Sequence, residues 1–364
     1  MASTHRLREL DFLRGLAIIL VLLRHQHLFT FTTNMGWIGV DLFFTLSGFL
    51  VSGLLFKEYL KFGDIQPKRF LIRRGFKIYP IYYLFYIPYI LPAILDDKLY
   101  VMGFLADMVF IQNYAFGWGY AYGASWSLAV EEHFYIALAI LLWVGIKFKI
   151  ILFEKPLHSR KFTISFSTLI YIILVGCFIL RLYSNIYFPE QFSKNFTMTH
   201  LRIDSLMAGV FISYLFHFKT KELVQAFKRY KPILISIAFV CILWTPFIDA
   251  IPSFFAKTFG FTLLYISFGI LLLYFILTPG INEILNKQFS APIVNIVSKI
   301  GFCSYSIYVI HTFVNNSVSF ERINNQYVIF IVTSIISISL GILMTYFVEN
   351  YFLRIRNKYV PNRA

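Results

Sequence analysis

The sequence predicts an all-α, polytopic membrane protein with about ten transmembrane helices and both termini in the cytoplasm. Three observations predict it. Apolar residues make up 58% of the 364 residues and charged residues only 14%, with 42 Phe and 24 Tyr, too few polar groups to cover a soluble surface. The apolar residues gather in ten segments close to the ~20 residues that cross a hydrocarbon core. The cations fall mostly in alternate connections between those segments, as cytoplasmic loops require. Strand-like alternation is absent, which argues against a β-barrel.

The segments run 10–29, 37–56, 78–95, 128–146, 163–182, 203–217, 232–248, 258–277, 300–314 and 327–349. The first is interrupted by Arg14, Arg24 and His25, and no small-residue cleavage site follows, so it reads as a span and not as a cleaved signal. The sixth and ninth are short. Residues 101–112 are apolar but too few to span, and suit an interfacial or re-entrant piece. No repeat, low-complexity tract or soluble module stands out, so residues 1–364 read as a single membrane domain. Cys177, Cys241 and Cys303 lie far apart without a CxxC, as buried structural thiols do.

The net charge of +15 would suit a nucleic-acid binder, but no soluble stretch is long enough to build one. Membrane lipid, with no nucleic acid, is the expected partner. With the N-terminus inside, 25 cations fall on the inner side, seven of them within 57–77. The outer side receives six: Lys98, Arg181, Lys194, Arg202, Lys257 and Arg322. Arg14 and Arg24 lie within the first span. The bias and the even number of spans put both termini inside.

A charge inside a span costs roughly 2.5–3.5 kcal/mol, so each needs a reason. Arg14 and His25 are eleven residues apart, about 20° beyond three helical turns, and share a stripe about 16 Å long. Asp41, Glu131 with Glu132 and His133, Asp204 and His311 lie toward the outer ends of their spans. Interfacial anchoring is one reading of them, with Arg14 snorkelling and His25 a core histidine. Inward-facing acids and imidazoles are also what general acid–base chemistry uses. At the inner face, Lys68, Arg69, Arg73, Arg74 and Lys77 lead into the third span. Arg73 and Lys77 share a face if the helix extends back through them. Anionic lipid or a phosphate-rich ligand would suit this turn. The His and acid residues show no HExxH-like spacing, so no metal is expected.

Together these motifs resemble the acyltransferase-3 family of integral-membrane acyltransferases, over about 10–350. The likeness rests on Arg14 and His25 after Leu10-Asp11, on Gly39-Val40-Asp41-Leu42-Phe43-Phe44, and on Arg73-Arg74 with Lys77 and Pro80. It continues through Trp126-Ser127-Leu128 with Glu131-Glu132, Arg202 with Asp204 and Gly209, and Ser304-Tyr305 with Tyr308 and His311. The resemblance implies a bacterial cytoplasmic-membrane enzyme. It would move an acyl group, usually acetyl, from cytoplasmic acyl-CoA to a hydroxyl of a cell-surface polysaccharide or lipid-linked sugar. It makes Arg14 and His25 catalytic and Arg73 and Arg74 donor-binding. Lys77 stands where the family has Arg, and lacks the bidentate fork. Asn350-Tyr351 stands where a nearby Pro is frequent. Asp41, Glu131 or His311 could orient His25, and spacing does not choose between them. The competing class is a secondary transporter or exporter of a small anionic or acylated substrate, which lacks the expected inverted-repeat signal here.

Overall fold

In the computed structural model, which describes residues 7–25, 28–153, 163–317 and 325–363, regular structure is helical apart from one two-residue parallel pairing, Ile151–Leu152 with Ile164–Ser165. The helices are α1 (Arg8–Arg24), α2 (Thr30–Gly36), α3 (Ile38–Phe62), α4 (Pro67–Leu95), α5 (Val101–Met108), α6 (Gln112–Ala115) and α7 (Trp126–Lys147). There follow α8 (Phe166–Tyr187), α9 (Phe192–Thr197), α10 (Ile203–Phe218), α11 (Thr220–Ile242), α12 (Phe261–Leu277) and α13 (Ile281–Phe289). The last four are α14 (Ala291–Phe302), α15 (Ser304–Ser317), α16 (Gln326–Met344) and α17 (Asn350–Tyr359).

Among the described residues, six helical runs are long and apolar enough to cross a membrane: Thr30–Phe62, Pro67–Leu95, Gly123–Lys147, Phe166–Tyr187, Ala256–Leu277 and Gln326–Tyr359. The expectation of ten exceeds this for physical reasons. At 17 residues α1 rises about 26 Å, short of the ~30 Å core. α10 is apolar but shorter still. α11 has 23 residues but opens with Lys221, Glu222, Lys228, Arg229 and Lys231. The segment 300–314 is not a straight span: α14 and α15 meet at Cys303 with a bend of 78°, and count as one further crossing only if taken together. Residues 101–112 form the short helices α5 and α6, as their length dictates.

Around an apolar core, many large apolar residues also face outward and several charged ones lie inside. Ile172, Ile179, Tyr183, Ile186, Phe239 and Phe347 point outward, while Asp41, Asp204, Arg181 and Arg202 are fully buried. An apolar exterior suits lipid. A buried charge must then find its counter-ion inside the bundle. Arg202 donates to Asp41 at 2.8 Å, Ser205 adds a hydroxyl at 3.2 Å, and Arg181 pairs with Asp204. The Arg202 guanidinium lies 3.5 Å from the centre of the Phe261 ring, with Phe44, Trp126 and Phe196 around it. Arg181 and Arg202 are thus not outer-loop cations, and Lys257 is buried too.

Where no hydrophobic force separates helix from lipid, close backbone contact holds helices together, and small residues permit it. A Cβ on Gly48 of α3 would stand 1.9 Å from the Leu206 carbonyl oxygen of α10, and one on Gly209 of α10 would stand 2.1 Å from that of Thr45. The same reciprocity joins α1 to α14 through Gly15 and Gly301. Gly209→Ala should therefore cost about 1–3 kcal/mol by overpacking, seen as a lower melting midpoint in detergent. An unchanged midpoint would mean that the crossing is looser than described.

Candidate active site

α1 ends at Arg24, and His25 follows it with Nδ1 2.9 Å from the carbonyl oxygen of Val21. That contact makes Nδ1 the protonated nitrogen of the neutral ring and Nε2 the basic one. His25 is exposed, and it lines a cavity of about 350 Å³ walled by Trp37, Tyr89, Trp118, Trp126 and Tyr308. His311, from α15, packs against the His25 ring without lining that cavity: the ring centres are 4.8 Å apart, edge to face at 70°. His311 is fully buried, its Nδ1 2.6 Å from the Tyr308 carbonyl oxygen, and its Nε2 has no hydrogen-bond partner among the described residues.

Neighbouring elements fix this pair. Ser127 and Tyr308 share a hydroxyl–hydroxyl bond of 2.7 Å, and Tyr308 also donates to the Ala124 carbonyl at 3.0 Å. The Tyr122 hydroxyl donates to the Tyr308 carbonyl at 2.5 Å. The connection before α7, which supplies Ala121 and Ala124 to the cavity wall, is tied to buried Asp107. That carboxylate accepts the backbone N–H groups of Tyr120 and Ala121, both at 3.0 Å, and the Tyr86 hydroxyl at 2.9 Å.

Arg14 faces a second, smaller cavity of about 60 Å³ with Ser47, Glu131 and Tyr305. Val40 and Tyr308 line both cavities, so the two adjoin. Glu131 accepts hydroxyls from Ser47 at 2.7 Å and Tyr135 at 2.8 Å. Arg14 has no hydrogen-bond or ion-pair partner among the described residues, yet lies near enough to Glu131 to attract it.

The basic turn is helical, because α4 begins at Pro67, and it opens a third cavity of about 110 Å³. Arg69, Arg73, Arg74 and Lys77 line it, joined by Arg356 and Arg363 from the C-terminal segment. The Arg74 guanidinium sits 4.9 Å from the centre of the Tyr135 ring. Since Tyr135 holds Glu131, this side chain connects the basic cavity to the Arg14 cavity. Lys77 forms an ion pair of 2.9 Å with buried Glu349.

The sequence-predicted residues thus separate into three groups. His25 and His311 come together, Arg14 joins Glu131, and Arg73, Arg74 and Lys77 share the basic cavity. Asp41, read as an orienter of His25, is instead committed to Arg202, the counter-ion that its burial requires. Glu131 lines the Arg14 cavity and not the one holding His25. The sequence reading missed Glu349 and Arg356, more than 270 positions from Lys77 and Arg73, where no local spacing points to them. Tyr308 was legible: it stands three residues before His311, on the same helical face.

Residues 7–349 match the family model described as "Acyltransferase domain". The peptidoglycan O-acetyltransferase OatA of Listeria monocytogenes is 33% identical over 154 residues, covering 38% of this chain and 24% of that one. A Bacillus subtilis protein provisionally named a peptidoglycan O-acetyltransferase, YrhL, is 30% identical over 37% of this chain and 24% of its own length. A Staphylococcus aureus protein provisionally named an O-acetyltransferase is 27% identical over 97% of this chain and 59% of its own. The chain spans less than two thirds of the length of each of these relatives. No solved structure matches. With the match running from the start of α1 to Glu349, and so over all three cavities' lining except the C-terminal segment, the chain belongs to the acyltransferase domain family.

Proposed function

We propose that this protein is a multi-span membrane O-acetyltransferase. Both termini and the 57–77 connection face the cytoplasm, and the enzyme carries acetyl from acetyl-CoA to a hydroxyl of a cell-surface glycan or lipid-linked sugar. The observation that carries this reading is the order of the cavities. A cluster of guanidinium groups lies at one end, the Arg14–Glu131 cavity comes next, and the His25 cavity adjoins it across Val40 and Tyr308. Arg14 and His25 are about 16 Å apart along α1, a length that a pantetheine arm spans.

The basic cavity fits a phosphate-rich donor. Arg69, Arg73, Arg74 and Arg356 have no carboxylate partner among the described residues, and guanidinium groups hold phosphate through paired N–H donors. At the other end, Trp118, Trp126 and Tyr89 present flat apolar faces, suited to the C–H faces of a sugar ring. A volume of about 350 Å³ falls within the usual range for ligand pockets.

His25 acts as the general base. Its Nε2 takes the proton of the acceptor hydroxyl as that oxygen bonds to the acyl carbonyl carbon. The C–S bond breaks, and the departing sulfur takes a proton back from the imidazolium. His311, packed edge-on, fixes the plane of the His25 ring, and the Val21 carbonyl fixes its tautomer. Arg14 positions the donor below. Named relatives that act as peptidoglycan O-acetyltransferases support the acetyl group and the glycan acceptor.

The test is donor binding by variants of the basic turn. Arg73→Ala and Arg74→Ala should each weaken acetyl-CoA binding by about 1.5–3 kcal/mol, the loss of a charge-assisted contact, while Lys77→Arg is tolerated. Isothermal titration on purified protein measures this. Unchanged affinity in both folded Ala variants would leave the turn only a lipid-anchoring role.

A further inference from the structure

The basic cavity is closed on one side by a segment the sequence reading assigned no role. α17 carries three cations, Arg354, Arg356 and Lys358, and only Arg356 lines the cavity; the other two are exposed. Arg356 stands seven residues after Glu349, two helical turns, so the two share a face. Glu349 anchors that face by its ion pair to Lys77.

Beyond α17 the chain folds back across the cavity. Arg73 donates to the Val360 carbonyl, and Arg69 to that of Pro361 through Nε at 3.2 Å. Arg363 reaches Glu58 and Asp64, both at 3.0 Å. These contacts hold the segment after α17 against α3 and α4. Among the described residues the Arg356 guanidinium donates only to the neighbouring Asn357, through Nε at 3.2 Å and Nη2 at 3.0 Å. Of the six cations lining the cavity, Lys77 and Arg363 are matched by carboxylates. Arg69, Arg73, Arg74 and Arg356 are not, among the described residues. Unmatched like charges around so small a space repel one another, and a multiply charged anion relieves that repulsion.

We infer that Arg356 is a further donor-binding residue, whose guanidinium completes with Arg73 and Arg74 a site for the phosphate groups of the acyl-CoA donor. This rests on reading the basic cavity as the donor site. It adds to that reading a residue from beyond the family match.

Coenzyme A and pantetheine, titrated into purified full-length protein in neutral detergent, test it. Wild type should bind coenzyme A, and Arg356→Gln should bind it about 10- to 100-fold more weakly, the range for a lost charge-assisted contact. Pantetheine, which has no nucleotide phosphates, should bind both alike. Arg354→Gln, on the exposed face of the same helix, should match wild type for coenzyme A. If wild type fails to bind coenzyme A, the donor-site reading itself falls and this inference with it. If wild type binds and a folded Arg356→Gln binds equally well, only the role of Arg356 is overturned. Phosphatidylglycerol vesicles separate lipid from nucleotide. A variant that loses affinity for the vesicles and none for coenzyme A would make Arg356 a lipid contact and overturn the inference. Should Arg356→Gln fail to fold, Arg356→Lys carries the test. It keeps the charge but loses the planar fork, so a loss of about 3- to 10-fold supports the role and none overturns it.

Discussion

His25→Ala should lower acyl transfer by about 10²- to 10⁴-fold, the range for loss of a general base, while leaving acetyl-CoA affinity within about twofold. The charged part of the donor is held in the basic cavity, beyond Arg14, which is itself about three helical turns from His25 along α1, by residues that the substitution does not touch. His25→Gln keeps the side-chain size but offers no base at neutral pH, so it should fail equally. Arg14→Ala should behave in the opposite way, with weaker or misplaced donor binding. His311→Ala removes the ring packed edge-on against His25. It should lower kcat while KM for acetyl-CoA stays the same, because His311 positions the base and touches no donor group. The His25 and His311 losses should be far from additive, as for residues that act as a unit. Full glycan acylation by a well-expressed His25→Ala protein would remove His25 from the chemistry.

Arg202→Met should destabilise the fold by about 3–5 kcal/mol, because it leaves the fully buried Asp41 carboxylate without its counter-ion. Pairing it with Asp41→Asn should recover much of that loss, since neither partner then carries an uncompensated charge. Melting midpoints of the two single variants and the double variant, in one detergent, measure the coupling. This cycle also decides what Asp41 does. If Asp41→Asn keeps wild-type stability yet abolishes transfer, its carboxylate belongs to the chemistry and the structural role assigned here fails.

The helical class of the fold was legible because lipid leaves long apolar runs in the sequence, though 300–314 divides between α14 and α15 and only six helical runs among the described residues are long and apolar enough to cross. The bend at Cys303 was not legible, since hydropathy is blind to direction and α14 and α15 are both apolar. A short motif made the neighbourhood of Tyr308 and His311 legible, whereas Arg14 and His25, one stripe of the first segment in the sequence, line different cavities. Which residues share a cavity depends on how helices cross. The pairing of Asp41 with Arg202 and of Lys77 with Glu349 spans 161 and 272 positions. No periodicity reports such a contact. Depth alone grouped Asp41 with the histidines, and packing separated them.

Transfer across the membrane is the central claim, and sided vesicles test it most directly. Membrane vesicles of known orientation receive radiolabelled acetyl-CoA only on the side of the 57–77 connection, and an acceptor oligosaccharide only on the other. Labelled acetyl ester should appear on the oligosaccharide across the membrane, and vanish with His25→Ala. Label on the oligosaccharide only when it shares the donor's side, with none across the bilayer, would contradict a path from the basic cavity to His25.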